Sequence, residues 1–295
     1  MEKYILSFKN YLINDKKSAI NTVESYIRDI NSYYIYSAEN GIPNLLKADS
    51  EHLYKYINHL KVLGKSNSTV TRTTASIKAF YKFLVSKKII KSNPADTFKS
   101  AKRQDREFSV LDKREVLSLL SQPNGSTLKE IRDKAILELL YATGIKVSEL
   151  IALKIYDINL QLGFLNIKTE KSERIVPIYP AALKALSNYI YNVRPVIVEE
   201  FNIDNLFTNM SGQPITRQGL WKLIKYYANL AQIKKDITPH TLRHSFATHL
   251  LENGAPLEDI KEMLGHSDIS TTQIYAKNLK TKYTRNYAKF HPLAK

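Results

Sequence analysis

Apolar residues recur at helical spacing along the first hundred positions. One set is Tyr4, Ile5, Phe8, Tyr11 and Leu12, and a second is Val23, Tyr26, Ile27, Ile30, Tyr33 and Tyr34. Gly41-Ile42-Pro43 interrupts the pattern. Asp49 or Ser50 suits the cap of a third helix carrying Leu53, Tyr56, Ile57 and Leu60, which Gly64 ends. A fourth begins near Asn67 or Ser68, with Val70, Ile77, Phe80, Tyr81 and Leu84 on its inner face. Short links between such helices predict a small bundle over residues 1–100, closed by Ser92-Asn93-Pro94. Phe98–Phe108, FKSAKRQDREF, is charged, nearly without apolar residues and without period, so residues 101–108 are expected to be an exposed linker.

The pattern changes over residues 109–295, expected to be a second domain. Asp112 suits the N-cap of a first helix. Ile131–Tyr141 is a strongly apolar helix stopped at Thr143-Gly144, and VSELIALK follows Lys146 as the next. Period-two alternation then predicts strands at Ile155–Leu160, Phe164–Ile167 and Ile175–Ile178, a small three-stranded antiparallel sheet. Helices return from Ala181, and Leu206-Phe207 reads as a short buried segment. Thr216 and Thr238-Pro239 open two more helices, the second running to about Glu252. A further helix spans Pro256 to Gly265, and Ser270 suits the cap of a short one after it. The expected fold is mainly α with a small antiparallel β-sheet.

Composition narrows the function. A net charge of +16 calls for a polyanionic partner, nucleic acid before an anionic membrane. No run is long and apolar enough for a membrane segment and no signal peptide is recognisable, which predicts a cytoplasmic protein. The absence of cysteine excludes disulfides, thiolate catalysis and Cys-based zinc sites. Between Glu51 and Asp96 there is no acidic residue, while lysines and Arg72 lie among many hydroxyls. A single-signed run beside hydroxyls fits phosphate contact better than a solvated helix face. The candidate DNA-binding residues are Lys65, Arg72, Ser76 and Lys78, with Lys102 and Arg103 in the linker.

The candidate chemistry lies in TPHTLRHSFATHLLENGAPLEDIKEMLGHSDISTTQIYA, residues 238–276. His240 and Arg243 share a helix face near its N-terminus, where backbone amides favour an anion. His266 follows a helix-ending glycine, and Tyr275 lies in a polar turn. Leu242, Phe246 and Leu250 form the core stripe, which leaves His244 and His249 as structural or surface histidines. Singly, each His or Tyr has an ordinary structural explanation. Together they suggest phosphate chemistry with a phenol nucleophile.

The spacing His240-Thr-Leu-Arg243, Leu264-Gly-His266 and Tyr275 resembles the tyrosine recombinase (phage integrase) family. YATGIKVSELIALK resembles the family's first-arginine box, and the closing FHPLA is similar to the bacterial XerC/XerD-type branch. The resemblance implies an N-terminal core-binding (SAM-like) domain and an α+β catalytic domain gripping opposite faces of a duplex. It implies that Tyr275 attacks a DNA phosphodiester, giving a 3′-phosphotyrosine and a free 5′-hydroxyl without metal or other cofactor. His240 then handles a proton, Arg243 and His266 bind the phosphate, and a hairpin lysine protonates the leaving oxygen. Lys168 fits that lysine best, with Lys171 the alternative. The resemblance also implies a tetramer on two double-stranded DNA sites, acting through a Holliday junction, its protomers docked by residues 280–295. Chromosome dimer resolution at cell division is the expected role, with a second recombinase or a cell-division DNA translocase as possible partners.

One position departs from the family pattern. Lys146 stands where the family has its first arginine. Lysine keeps the charge but replaces a planar fork with one ammonium. The protein could be naturally weak or inactive, another arginine could compensate, or the lysine could be an introduced substitution; the last is preferred because every other catalytic position is filled. Three rivals stand beside the recombinase reading: a mobile-element integrase of the same chemistry, a catalytically weak DNA-binding relative, and a metal-dependent phosphodiesterase built on His240, His244 and His266.

Overall fold

Helix starts along this chain are set by short polar side chains that satisfy the first free amides. In the computed structural model, which describes residues 1–98, 109–169, 172–266 and 272, Asp49, Ser66, Asp112, Thr127, Thr216 and Thr238 each accept a hydrogen bond from a backbone N–H of the following first turn. Two compact units result, Met1–Asp105 and Arg106–Lys295. Among the described residues no helix is long and apolar enough to cross a membrane.

The first unit is a helical bundle of α1 (Glu2–Asn10), α2 (Ile20–Glu39), α3 (Ser50–Val62) and α4 (Asn67–Ser86). A π-turn at Tyr11–Asp15 extends α1. The inner faces bury Phe8, Ile30, Tyr33, Phe80, Tyr81 and Leu84. Phe8 meets Phe80 edge-on at 5.3 Å between ring centroids. The buried phenols are satisfied: Tyr81 donates to the Leu45 carbonyl at 3.0 Å and lies 3.2 Å from the Tyr33 hydroxyl.

The second unit is built around α6 (Leu128–Thr143), whose residues are buried on nearly every side. Its buried charges are paired within the unit. Asp133 accepts from Arg132, Lys129 and Tyr227, and Glu138 pairs with Lys134 and accepts from Tyr179. Around α6 lie α5 (Lys113–Ser121), α7 (Val147–Ala152), α8 (Pro180–Asn188), α9 (Arg194–Ile197), α10 (Arg217–Leu230), α11 (Pro239–Glu252) and α12 (Leu257–Leu264). The antiparallel sheet has the order β1 (Ile158–Asn159), β2 (Phe164–Thr169), β3 (Ser172–Pro177). Its first strand is shorter than the alternation predicts. Residues Ile155–Asp157 form a 3-10 turn, because the Asp157 carboxylate accepts from the Lys154 amide at 2.8 Å and curls the backbone. The two longer strands pair Lys168 with Glu173 and Thr169 with Ser172 at the hairpin tip.

Gly144 decides how this unit closes. Its φ of +56° is a left-handed conformation, and a Cβ there would lie 2.5 Å from Phe246 Cδ1 and 3.0 Å from Leu264 Cδ2. Only glycine lets the end of α6 approach α11 and α12 this closely. That approach brings together segments far apart in sequence.

Candidate active site

Arg243 is the centre of the assembly. It lies in the second turn of α11, 5% exposed, and its guanidinium reaches two helix ends. Nη1 donates to the Gly144 carbonyl at 2.6 Å and Nη2 to the Leu264 carbonyl at 2.7 Å. These are the C-terminal ends of α6 and α12, so a buried cation meets two negative helix termini. The residues that follow each end are Lys146 and His266.

Lys146 is the N-cap of α7, and its amide donates to Glu149 Oε2 at 2.9 Å. Its ammonium donates to the Gly265 carbonyl at 3.3 Å and lies 3.8 Å from Glu149 Oε1, with 41% of the side chain exposed. Burial pushes its pKa down, and the neighbouring Arg243 and Arg174 add to that against the opposing Glu149. His266 Nδ1 lies 2.9 Å from the Thr272 hydroxyl. Burial first, then the charges of Arg243 and Lys146, lower its pKa to about 4.

His240 is exposed in the first turn of α11, its ring 6.5 Å from that of His244. His244, which its position off the core stripe marks as structural or surface, is half-buried, and burial together with His240 and Arg243 lowers its pKa to about 4. His249 is buried, with Nδ1 3.0 Å from the Tyr141 hydroxyl. Lys168 is not drawn into this cluster by any contact among the described residues. It lies on the β2 face opposite Leu165 and Ile167, 64% exposed, paired with Glu173 at 3.2 Å. Tyr275 and Lys171 lie outside the described residues.

Two residues at the cluster escaped the sequence reading. Glu149 is buried and takes a fork of two bonds from Arg174, at 3.0 and 2.8 Å. Arg174 is also buried, and its Nε donates to the Met263 carbonyl at 2.8 Å. Signals for both were present. Glu149 stands at the N3 position of a capping box, and Arg174 shares the inward parity of Val176 on β3.

The neutral histidines make stability pH-dependent. An unfolded histidine takes up a proton near pH 6.5, whereas folded His244 and His266 stay neutral down to about pH 4. Between these values the unfolded state binds more protons. The denaturant midpoint is therefore expected to fall as pH drops from about 6.5 to about 4. His266→Gln should flatten that slope in urea titrations across the interval. An unchanged slope would contradict the assignment.

The basic helix α4 of the first unit requires one correction. Ser76 is not available to a duplex, because it is 0% exposed and its hydroxyl donates to Asp29 Oδ2 at 2.8 Å inside the bundle. Asp29 is itself buried, and burial raises its pKa against the bonds from Ser76 and Arg72. Arg72 is partly exposed while pairing with Asp29 at 3.0 Å. Lys78 is half-buried and donates to the Phe98 carbonyl, and Lys65 is exposed. Lys102 and Arg103 lie outside the described residues.

Comparison with known proteins gives the family. Residues 109–282 match the model of the phage integrase family, and residues 5–88 match that of the phage integrase N-terminal SAM-like domain. The chain is 41% identical over 295 residues, covering 100% of both sequences, to the tyrosine recombinase XerD of Staphylococcus haemolyticus. Among solved structures it resembles the XerA recombinase, at 26% identity and a TM-score of 0.55, covering 97% of this chain and 98% of that one. It also shares the fold of the XerH site-specific recombinase bound to a palindromic difH substrate, at 19% identity and a TM-score of 0.78, covering 92% and 81%. Matches that take in both units and every segment converging on Arg243 leave one assignment: the chain belongs to the phage integrase family of tyrosine recombinases.

Proposed function

We propose that this protein is a site-specific recombinase that cuts and rejoins double-stranded DNA through a 3′-phosphotyrosine. The observation that carries the reading is the tie from Arg243 to the carbonyls of Gly144 and Leu264, which sets Lys146, Arg243 and His266 around one point. Two cations and an imidazole at a partly buried point suit the phosphorane-like transition state of phosphoryl transfer.

Tyr275 attacks the phosphorus while His240 takes the phenolic proton. The P–O5′ bond breaks, and the hairpin lysine, Lys168 or Lys171, gives a proton to the departing 5′-oxygen. Arg243, His266 and Lys146 hold the non-bridging oxygens. The Thr272 hydroxyl lies 2.9 Å from Nδ1 of His266; in this mechanism it donates to Nδ1, which leaves the ring proton on Nε2 for a phosphate oxygen to accept. The phosphotyrosine retains the bond energy, so a 5′-hydroxyl from a second strand reverses the step. Two such exchanges in a tetramer of this chain, alone or with a second recombinase, pass through a Holliday junction. The role assigned in this reading is chromosome dimer resolution at cell division in the cytoplasm, with a DNA translocase as a partner; the 41% identity to a tyrosine recombinase XerD supports a recombinase of that branch.

Lys146 favours a second reading, a DNA-binding relative with weak cleavage. A nicked suicide duplex separates the two. The recombinase reading expects a covalent protein–DNA adduct, stable in detergent and formed equally with EDTA present. If no adduct forms even with Lys146→Arg, the enzyme reading fails. Strand cleavage without an adduct, abolished by EDTA, would instead favour the metal-dependent phosphodiesterase.

A further inference from the structure

The family resemblance assigns Arg174 no role, yet it joins three of the elements that form the site. It projects inward from β3, on the same face as Val176. Its Nη1 and Nη2 grip both oxygens of Glu149, and its Nε reaches the carbonyl of Met263, two residues before Gly265. The contact with Gly265 is close. A Cβ on that residue would lie 2.8 Å from Arg174 Nη1 and 2.9 Å from Cζ. Glycine there meets two requirements at once, a left-handed φ of +62° and room for the guanidinium beneath the turn.

Each partner of Arg174 leads to a phosphate-facing group. Glu149 accepts from the Lys146 amide and faces its ammonium. Gly265 offers its carbonyl to Lys146 and precedes His266. The guanidinium is 7% exposed and neutralised by Glu149, so it is a poor substitute for a missing phosphate ligand. Its position suits a support.

We propose that Arg174 is a positioning residue for the phosphate clamp, holding the Gly265–His266 turn directly and Lys146 through Glu149. The proposal rests on the recombinase reading. It also separates two halves of the chemistry. Arg174 stands on the strand of the hairpin, but it acts on the non-bridging oxygens and not on the leaving group, since Lys168 lies on the opposite face of the sheet.

The test compares the full chain with Arg174→Met and Arg174→Lys on three nicked duplexes. One has a natural scissile phosphodiester. The second has a methylphosphonate, which lacks one non-bridging charge and so needs less of the clamp. The third has a 5′-bridging phosphorothiolate, whose thiolate leaves without protonation. Arg174→Met is expected to cleave the natural duplex about 10- to 100-fold more slowly, the range for losing a residue that orients a ligand-binding group. The deficit should largely vanish on the methylphosphonate, persist on the phosphorothiolate and be partly relieved in Arg174→Lys. Duplex affinity should hold. A deficit erased by the phosphorothiolate would place Arg174 on the leaving-group side and overturn the proposal. So would an equal deficit on all three substrates.

A second measurement does not depend on turnover. Arg174 is one of the cations that lower the His266 pKa. The His266 titration midpoint, followed by NMR, should rise in Arg174→Met and return towards the parent value in Arg174→Lys. An unmoved midpoint overturns the proposal whatever the cleavage data show. If neither the parent nor Lys146→Arg forms an adduct on any duplex while the midpoint moves as expected, the recombinase reading fails and the positioning role stands.

Discussion

Tyr275→Phe is expected to abolish the covalent protein–DNA adduct while leaving duplex affinity nearly unchanged. The phenolic oxygen is the attacking atom of the proposed reaction, and no other hydroxyl carries the family spacing from His266. A phenol with a pKa of about 10 is a weak nucleophile alone, so the proposed reaction requires cations at the phosphate, the part it assigns to Arg243 and Lys146. Affinity has a different source. With a net charge of +16, backbone binding is spread over many cations, and deletion of one neutral hydroxyl removes none of them. Denaturing gels for the adduct and mobility shifts for affinity separate the two. A comparable loss of both, or an adduct that persists in the variant, would sink the assignment of the nucleophile.

Lys146→Arg is expected to raise the cleavage rate on the order of a hundredfold, the effect of restoring one charged donor at a transition-state oxyanion. The ammonium is already engaged by the Gly265 carbonyl at 3.3 Å and by Glu149 at 3.8 Å. A planar guanidinium could keep such contacts with one edge and offer a second edge to phosphate. The depressed pKa of Lys146 adds a pH signature. The lysine loses its proton as pH rises into the alkaline range, whereas arginine does not, so the alkaline fall in cleavage should move to higher pH in the variant. Single-turnover rates on the suicide duplex measure both effects. An unchanged or lower rate would show that the site is built around lysine.

The helix starts were legible because an N-cap is a local event. Asp49, Asp112, Thr216 and Thr238 bond to amides two or three residues ahead, within reach of a sequence window. The sheet was legible in kind, but its first strand was overextended, because a bend made by one carboxylate does not disturb the apolar alternation. Ser76 was misplaced for another reason. A hydroxyl in a basic helix fits a DNA-facing surface and a buried bond to a carboxylate equally well, and Asp29 lies on a different helix. Glu149 and Arg174 are 25 residues apart in sequence, and only the approach of β3 to α7 and α12 shows that they form a pair.

By itself the sequence determined the class of chemistry. Residue types and spacings from His240 to Tyr275 are covalent facts, and with a large positive charge they point to phosphodiester transfer on DNA. Tertiary structure alone decided which groups share a site and in what state. Arg243 joins the ends of α6 and α12 because Gly144 permits the close approach, and the resulting burial holds His244 and His266 neutral and depresses Lys146. Charge state depends on solvent exclusion and on neighbours brought in from distant segments, and neither is encoded in local spacing.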